Sequence, residues 1–507
     1  MRLELRDITK RFPGVLANDG ISISADRGEV LGMLGENGAG KTTLMNILSG
    51  LYRPDSGEIL IDGQSKVFHD PADAIGAGVG MVHQHFMLVP VFDVVEAVAL
   101  GAETVSGVLG RFDRAVARAR IVALSEQYGL DVDPDARIEN LPVGVRQRVE
   151  ILKALYRHSD ILVLDEPSAV LTPLETEELY GIIRSLKATG TTVIFITHKL
   201  NEVLEVADKI VVLRRGRVAG TAIPAHTTRQ ELANMMVGRD VELVVPKGPA
   251  SPGEVVLSIR DLRVRDDRLE IAVDGVDLDV RAGEIVAIAG VQGNGQTELV
   301  EAIVGLRAID AGEMSIGGER IEHATPRHIA DLGVAHIPED RGRDGLINQM
   351  TVAENYILDT YHREPYSRRG LFDLRAVAAR AKQGVVDFDI RTPSIETTAA
   401  SLSGGNQQKV VVAREFSRPV RLVVAAQPTR GLDVGSIEYI HRRLVEQRDA
   451  GAAILIVCTE LDEVLAVGDR VAVMYEGRIV GVLAGAEATY EAIGLLMGGA
   501  HFGGAAA

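Results

Sequence analysis

A glycine-rich run that ends in Lys41 and Thr42 carries the clearest chemical signal in the chain. It matches the spacing G-x-x-x-x-G-K-[ST] and stands between an apolar, strand-like stretch and a helix-like one. Glycines let backbone N–H groups turn towards phosphate oxygens, and a helix N-terminus adds positive partial charge. Lys41 would reach the β- and γ-phosphates of a nucleotide and Thr42 would ligate Mg²⁺; the alternative is an ordinary glycine turn with an exposed lysine. The predicted phosphate-binding residues are Gly35, Glu36, Asn37, Gly38, Ala39, Gly40, Lys41, Thr42 and Thr43.

Two adjacent carboxylates, Asp165 and Glu166, end the apolar run 161–164. Asp165 could hold Mg²⁺ or a water molecule bound to it, while Glu166 could orient or polarise an attacking water. An ordinary helix cap is the alternative role for Asp165. The pair therefore predicts the metal ligand and the general base of a phosphoryl-transfer site.

The elements that must position these residues occur twice in the chain. Residues 28–35 match 283–290 with an offset of 255, and residues 194–198 match 455–459 with an offset of 261. In each copy, short apolar runs alternate with longer polar–apolar segments, which predicts an α/β fold with a parallel sheet covered by helices. The expected division is a first domain at 1–244, a Pro/Gly/Ser-rich linker at 245–253, a second domain at 254–497 and a flexible tail at 498–507.

Composition limits the class of protein further. The chain has 507 residues, a net charge of −17 and one cysteine, Cys458. The acidic balance argues against binding to nucleic acid by bulk attraction, and arginines around 111–120 are interpreted as a solvated helix face. No apolar run reaches the roughly 18 residues of a membrane span, and the N-terminus has no apolar signal core. We expect a cytoplasmic, multi-domain protein that does not span a membrane.

A third motif leads to a family. Together with Lys41–Thr42 and Asp165–Glu166, the run 402–408 (Leu-Ser-Gly-Gly-Asn-Gln-Gln) resembles the ATP-binding-cassette (ABC) ATPases, and the likeness covers nearly the whole chain twice. The resemblance implies two tandem P-loop ATPase domains, each with a mostly parallel core sheet, an antiparallel β part and a helical subdomain. It also implies ATP and Mg²⁺ as ligands.

The resemblance assigns roles to single residues in the first copy. Gln84 matches the Q-loop, which senses Mg²⁺ and the membrane partner, and His198 matches the switch histidine at the γ-phosphate. Phe12 stands where the family stacks an aromatic ring on adenine. Residues 168–171 match the D-loop, although Thr172 replaces its usual aspartate. Phe12 could instead be a core residue at a strand end, and His198 a strand-end histidine with a structural hydrogen bond.

The second copy lacks nearly every charge that this chemistry needs. Its loop has Gln296 in place of the lysine, and Ala426–Gln427 stand in place of the two carboxylates. Losing the lysine alone removes charge-assisted hydrogen bonds worth roughly 1.5–3 kcal/mol each. This copy is therefore not expected to hydrolyse ATP. Its matching residues are Gly290, Gly293, Gly295, Gln296, Thr297, Glu339 (at the position of Gln84), Ala426, Gln427 and Thr459 (at the position of His198).

Apart from Thr172 in the D-loop, the first copy departs from the family at its signature motif, where Pro142 and Gly144 stand in the run 141–145. In the family, two cassettes pair head to tail, so that each nucleotide lies between one phosphate loop and the other signature. The resemblance then implies one complete site and one site that is defective on both faces. The complete site would combine the first-copy residues with Ser403, Gly404, Gly405 and Asn406.

Two fused cassettes without a membrane domain resemble the ATPase subunit of importers for monosaccharides and nucleosides. The run 336–341 matches that group, and residues 425–431 favour the nucleoside branch over the ribose or galactose branch. The partners implied are two transmembrane permease subunits, contacted around 86–91 and 346–351, and an extracytoplasmic solute-binding protein. The chain would then sit peripherally on the cytoplasmic face of the membrane. A soluble ribosome-associated tandem-cassette factor is the alternative, but such factors carry a long charged linker and two intact sites.

Overall fold

A computed structural model describes residues 2–83, 86–106, 111–168, 171, 173–242, 245–485 and 487–498. The chain divides into two compact units, Met1–Val241 and Glu242–Ala507. Among the described residues, none of the helices combines the length and the apolar character needed to cross a membrane.

The first unit contains twelve strands and eight α-helices among its described residues. The strands are β1 (Leu3–Phe12), β2 (Val15–Ala25), β3 (Val30–Gly35), β4 (Ser56–Ile61), β5 (Gln64–Lys66), β6 (Val79–Val82), β7 (Val105–Ser106), β8 (Arg111–Phe112), β9 (Ile161–Asp165), β10 (Thr192–Thr197), β11 (Lys209–Arg214) and β12 (Arg217–Ala222). The helices are α1 (Lys41–Leu48), α2 (Pro71–Gly76), α3 (Val94–Ala99), α4 (Arg114–Tyr128), α5 (Val143–Tyr156), α6 (Pro173–Ala188), α7 (Leu200–Val206) and α8 (Arg229–Val237).

The second unit repeats this order with twelve strands and eight α-helices among its described residues. The strands are β13 (Val255–Arg265), β14 (Ile271–Arg281), β15 (Ile285–Ala289), β16 (Ala311–Ile316), β17 (Glu319–Arg320), β18 (Val334–Ile337), β19 (Ser367–Arg368), β20 (Leu371–Phe372), β21 (Leu422–Ala426), β22 (Ala453–Cys458), β23 (Arg470–Tyr475) and β24 (Arg478–Ala484). The helices are α9 (Gln296–Ile303), α10 (Pro326–Asp331), α11 (Val352–Tyr356), α12 (Leu374–Asp387), α13 (Gly404–Phe416), α14 (Val434–Asp449), α15 (Leu461–Val467) and α16 (Tyr490–Met497).

Each unit is built on a six-stranded, mostly parallel sheet. The strand order is β12-β11-β3-β10-β9-β6 in the first unit and β18-β21-β22-β15-β23-β24 in the second, with an antiparallel edge strand, β12 or β24, in each. A four-stranded antiparallel sheet accompanies it, in the order β2-β1-β4-β5 or β14-β13-β16-β17. The α/β fold with an antiparallel part, as predicted from the sequence, is confirmed.

The central strands are apolar on both faces because both faces are covered. In β9, Leu162 and Leu164 pack into a core with the helices of the 94–186 region, whereas Ile161 and Val163 pack on the opposite face with α1 and the antiparallel sheet. Every residue of β9 and β10 is buried. The strand faces are therefore covered, and the strand ends are where the sheet can present groups for chemistry.

The segment 245–253 is attached to the second unit. The Lys247 ammonium donates to Val467 O at 2.7 Å and Gly468 O at 2.8 Å, and it pairs with Asp469 at 3.0 Å. Arg448 donates to Gly248 O at 3.1 Å. The predicted boundaries at 244 and 254 stay a prediction, and the predicted tail after Gly498 lies outside the described residues.

Candidate active site

Three strands of the first-unit sheet end side by side at the candidate site. Strands β3, β10 and β9 are adjacent and parallel, with Leu34 opposite Thr197 and Ile196 opposite Asp165. Their carboxyl ends therefore meet at one edge, which is where ligands bind in open α/β sheets. Lys41 follows β3, His198 follows β10, and Asp165–Glu166 end β9, so the fold brings these predicted residues together.

The phosphate loop holds Lys41 folded back over its own backbone. The Lys41 ammonium donates to Gly35 O at 2.5 Å and Glu36 O at 3.1 Å, and the side chain is only 6% exposed. Burial lowers the pKa of this ammonium, although the carboxylates of Glu166, Asp165 and Glu36 act in the opposite direction. A buried cation whose hydrogen-bond partners are carbonyl oxygens is well suited to receive an anion.

Glycines shape this loop where it meets the helix. Gly38 has φ 79° and Gly40 has φ 99°, both in the left-handed region that favours glycine. A Cβ on Gly40 would lie 2.3 Å from Ala17 O, and Asn18 Nδ2 donates to Gly40 O at 3.0 Å.

The other residues of the loop lie around these glycines. Ala39 is buried while Asn37 and Gly38 are exposed, and Thr42 and Thr43 lie in the first turn of α1. This cradle fits phosphate groups.

Asp165 is a buried carboxylate at the end of β9. Burial raises the pKa of Asp165 to about 6, and the neighbouring Glu166 carboxylate adds to the effect while the Lys41 ammonium opposes it. A buried carboxylate that is costly to ionise becomes favourable once a cation binds beside it. The residues present therefore fit a divalent cation such as Mg²⁺, which Asp165 and Thr42 could ligate.

Glu166 and His198 form a hydrogen-bonded pair. His198 Nδ1 lies 3.0 Å from Glu166 Oε1. Burial alone would raise the pKa of Glu166, but the hydrogen bond and charge of His198, together with Lys41 and Lys199, bring it below its usual value. Glu166 has φ 48°, and its N–H donates to Ile196 O at 2.9 Å. A carboxylate that is ionised and held in place can orient a water molecule.

A second buried carboxylate, Glu202, was not found from the sequence. Glu202 accepts hydrogen bonds from the hydroxyls of Ser168 and Thr197, the latter at 2.8 Å. The same Thr197 hydroxyl accepts the Lys199 N–H at 3.0 Å. Glu202 therefore joins the segment after Glu166 to the segment that carries His198. The signal available in the sequence was the repeat, because Glu463 lies 261 residues later.

Phe12 ends β1 at the rim of the unit. It is 37% exposed, and its ring meets Tyr52 edge to face with centroids 5.5 Å apart. This exposure is not that of a core residue, so the geometry favours a ring available for stacking. Tyr52 was not singled out from the sequence, since no motif contains it. Gln84, predicted as a catalytic and metal-binding residue, lies outside the described residues.

The second unit keeps the backbone of the site without its charges. Gly293 and Gly295 have φ 94° and 96°, and Gln296 is 7% exposed with its amide nitrogen unpartnered among the described residues. A Cβ on Gly290 would lie 2.4 Å from that nitrogen, and Thr297 follows in the first turn of α9. Gln296 thus folds back as Lys41 does, but it brings no positive charge.

The remaining second-unit residues form hydrogen bonds between neutral groups or pair with other residues of the same unit. The Thr459 N–H and hydroxyl donate to Gln427 Oε1 at 3.3 and 3.2 Å, in the place of the Glu166–His198 pair. Glu339 accepts from Gln292 Nε2 at 3.3 Å and pairs with Arg430. Ala426 ends β21 where Asp165 ends β9. This edge has no carboxylate at the position where the first unit would hold a metal ion.

The two signature segments differ at their helix N-termini. Ser403 precedes α13, Asn406 Nδ2 donates to its hydroxyl oxygen at 2.9 Å, and a Cβ on Gly405 would lie 2.3 Å from Ser436 Oγ. In the first unit, Pro142 precedes α5, and a Cβ on Gly144 would lie 2.4 Å from Glu175 Oε1. Pro142 offers neither a hydroxyl nor an N–H.

Comparison with known proteins identifies the family. The sequence profile described as "ABC transporter" matches residues 18–169 and 273–430. The chain therefore belongs to the ABC transporter family and is an ATPase of that family, which confirms the resemblance found in the sequence.

Three relatives match along nearly the whole chain. The nucleoside import ATP-binding protein NupA of Lactococcus lactis subsp. cremoris (strain MG1363) is 48% identical, with 98% of each chain covered. The guanosine import ATP-binding protein NupO of Bacillus subtilis (strain 168) is 46% identical, over 98% of this chain and 97% of the relative. The ribose import ATP-binding protein RbsA 1 of Rubrobacter xylanophilus (strain DSM 9941 / JCM 11954 / NBRC 16129 / PRD-1) is 43% identical, with 97% of each covered.

Proposed function

We propose that this chain powers the import of nucleosides as the ATP-hydrolysing subunit of an ABC importer. Full-length identity of 48% and 46% to nucleoside and guanosine import proteins supports the solute class. The observation that carries the proposal is the first-unit site, in which Lys41, Asp165 and Glu166 stand at one sheet edge with His198 bonded to Glu166 at 3.0 Å. No such set of charges exists among the described residues of the second-unit site.

Each first-unit residue has one task in this proposal. The loop 35–43 binds the phosphates of ATP through backbone N–H groups and Lys41, while Phe12 stacks on adenine. Thr42, Asp165 and Gln84 would hold Mg²⁺, which would supply positive charge to offset the negative charge of the phosphate oxygens. Glu166 orients the attacking water and withdraws its proton, and His198 keeps that carboxylate in place.

The signature of the second unit completes this site. We assign Ser403, Gly404, Gly405 and Asn406 to the ATP held by Lys41, through head-to-tail pairing of the cassettes. The other pairing would join Gln296, Ala426 and Gln427 to Pro142, which leaves it unable to hydrolyse ATP. This pairing is supported because it places all the substituted motifs in one site, while the other site keeps a complete phosphate loop, carboxylate pair and signature.

The partners follow from the proposed activity. Two transmembrane permease subunits would bind the segments 86–91 and 346–351, and an extracytoplasmic solute-binding protein would deliver the solute. The chain would then be peripheral, on the cytoplasmic face of the membrane. No nucleic-acid partner is proposed. The 43% identity to a ribose import protein makes a monosaccharide the second candidate solute.

The solute class is tested with the complete transporter in lipid. We expect nucleosides, added with the solute-binding protein, to stimulate ATP hydrolysis, whereas ribose and galactose leave it at its basal rate. A matched sample with Glu166→Gln controls for contaminating ATPases. Stimulation by a monosaccharide and not by any nucleoside would reject the nucleoside proposal in favour of the second candidate.

A further inference from the structure

The segment after β18 contains an extra turn to which the proposed function gives no role. From Glu339 to Thr351, which caps α11, the chain is three residues longer than from Gln84 to Asp93, which caps α3. The additional length forms a wide helical turn, Arg341–Gly345. Asp340 fixes the start of this turn, since its carboxylate accepts the N–H groups of Gly342 and Arg343 at 2.9 and 3.1 Å.

The turn directs the Arg341 guanidinium against the signature helix. Its Nη1 donates to Arg430 O at 2.9 Å, in the segment that follows β21. A Cβ on Gly404 would lie 2.5 Å from Nη2, so the guanidinium lies against the first residue of α13 and would have to move if that residue had a side chain. The Nε atom is buried and has no partner among the described residues. Arg341 therefore touches the signature helix and the Arg430 segment at once.

The charge of Arg341 lies where a helix is already positive. Three features describe this end of α13: the N-terminus carries positive partial charge, Ser403 makes no side-chain cap hydrogen bond, and the first turn contains no acidic residue. Burial lowers the pKa of Arg341, with Asp340 acting weakly in the opposite direction. Burial and the helix N-terminus both disfavour this positive charge, and a phosphate group would offset them.

We propose that Arg341 is a positioning residue for ATP hydrolysis. It holds the N-terminus of α13, with Ser403 and Gly405, against the Arg430 segment, and it adds positive charge to the face that the signature presents to the γ-phosphate. The inference rests on the proposed function, in which this signature serves the ATP held by Lys41. In the first copy the corresponding residue is Phe86 and the signature begins with Pro142. Of the two copies, only the one with the complete signature motif therefore has a guanidinium at this position.

The test compares Arg341→Gln and Arg341→Lys with the control Arg343→Gln in the assembled transporter. Arg343 lies in the same turn, and its side chain is 83% exposed. We expect Arg341→Gln to lower kcat for ATP hydrolysis by about 10- to 100-fold, as misplacing a reacting group does, with KM for ATP nearly unchanged. Arg341→Lys should recover part of kcat, and Arg343→Gln should retain all of it.

A thermal measurement separates positioning from a merely structural role. Without nucleotide, Arg341→Gln should melt close to the natural protein, because the loss of the hydrogen bond to Arg430 O is offset by the removal of a buried positive charge beside the N-terminus of α13. Three results would each overturn the inference. They are a melting temperature of Arg341→Gln that falls together with its kcat, a loss of kcat in Arg343→Gln equal to that in Arg341→Gln, and an unchanged kcat in Arg341→Gln. Ser403→Arg is measured in parallel. If Ser403→Arg still hydrolyses ATP, the proposed site itself is wrong. If Ser403→Arg abolishes hydrolysis while Arg341→Gln leaves kcat unchanged, only the inference about Arg341 is wrong.

Discussion

The buried carboxylate of Asp165 should make the metal-free protein less stable. Burial and the neighbouring Glu166 raise the pKa of Asp165 from its ordinary 3.8 to about 6. That difference corresponds to about 3 kcal/mol of stability. Because the folded protein binds this proton more tightly than the unfolded chain, raising the pH from about 4 to about 6 lowers the free energy of unfolding. The whole cost is present above pH 6.

Asp165→Asn removes that cost while keeping the shape of the side chain. We expect the first unit of the variant to gain up to about 3 kcal/mol at about pH 8, and about half as much near pH 5. Thermal unfolding of the nucleotide-free protein in chelator measures this gain. ATP with Mg²⁺ should then stabilise the natural protein more than the variant, because Asp165 is proposed to hold the metal.

Glu166→Gln is the matched control, and its effect on stability should have the opposite sign. The pKa of Glu166 is lowered in the folded protein, so its charge stabilises the fold at neutral pH and this contribution is lost on acidification. We expect Glu166→Gln to melt lower than the natural protein at pH 7. If Asp165→Asn melts lower too, or if its gain is the same at both pH values, burial of the charge is not the cause.

Two further predictions concern turnover. Glu166→Gln should still bind ATP and Mg²⁺ through Lys41, Thr42 and Asp165, yet steady-state ATP hydrolysis should fall on the order of 10²-fold or more; substantial multiple turnover in a clean preparation would contradict the one-site proposal. Ser403→Arg should abolish hydrolysis, because it removes a hydroxyl donor and places a bulky side chain where the γ-phosphate must dock. Pro142→Ser, measured beside it in the assembled transporter, should change hydrolysis little, and a marked rise would show that the signatures act in another pairing.

Residues that belong to linear motifs could be predicted from the sequence. The parallel strands have apolar runs because both faces of the sheet are covered; Asp165 and His198 lie where such runs stop, and Lys41 follows β3 after the glycine loop. Glu202 and Tyr52 could not be predicted in this way. Glu202 belongs to none of the motifs and is signalled only by its repeat at Glu463, whereas the contact of Tyr52 with Phe12 depends on packing between segments that have no fixed spacing.

The duplicated chain separates what the fold requires from what the chemistry requires. Gly40 and Gly295 have φ 99° and 96°, and in each case a Cβ would collide with a backbone carbonyl, Ala17 O or Ala272 O. Glu166 and Gln427 likewise share a left-handed backbone, at 48° and 46°. The loop and the strand end therefore keep their geometry in both units, because neighbouring segments enforce it.

Packing does not fix the charged side chains of the site in the same way. Gln296 fills the place of Lys41 at similar burial, and the Thr459–Gln427 contact replaces the His198–Glu166 pair without disturbing the strands that carry them. A neutral site of the same shape can thus persist without the groups proposed to bind a metal ion and orient water. For this reason, an intact backbone does not distinguish the two units, whereas the charged side chains of Lys41, Asp165, Glu166 and His198 do.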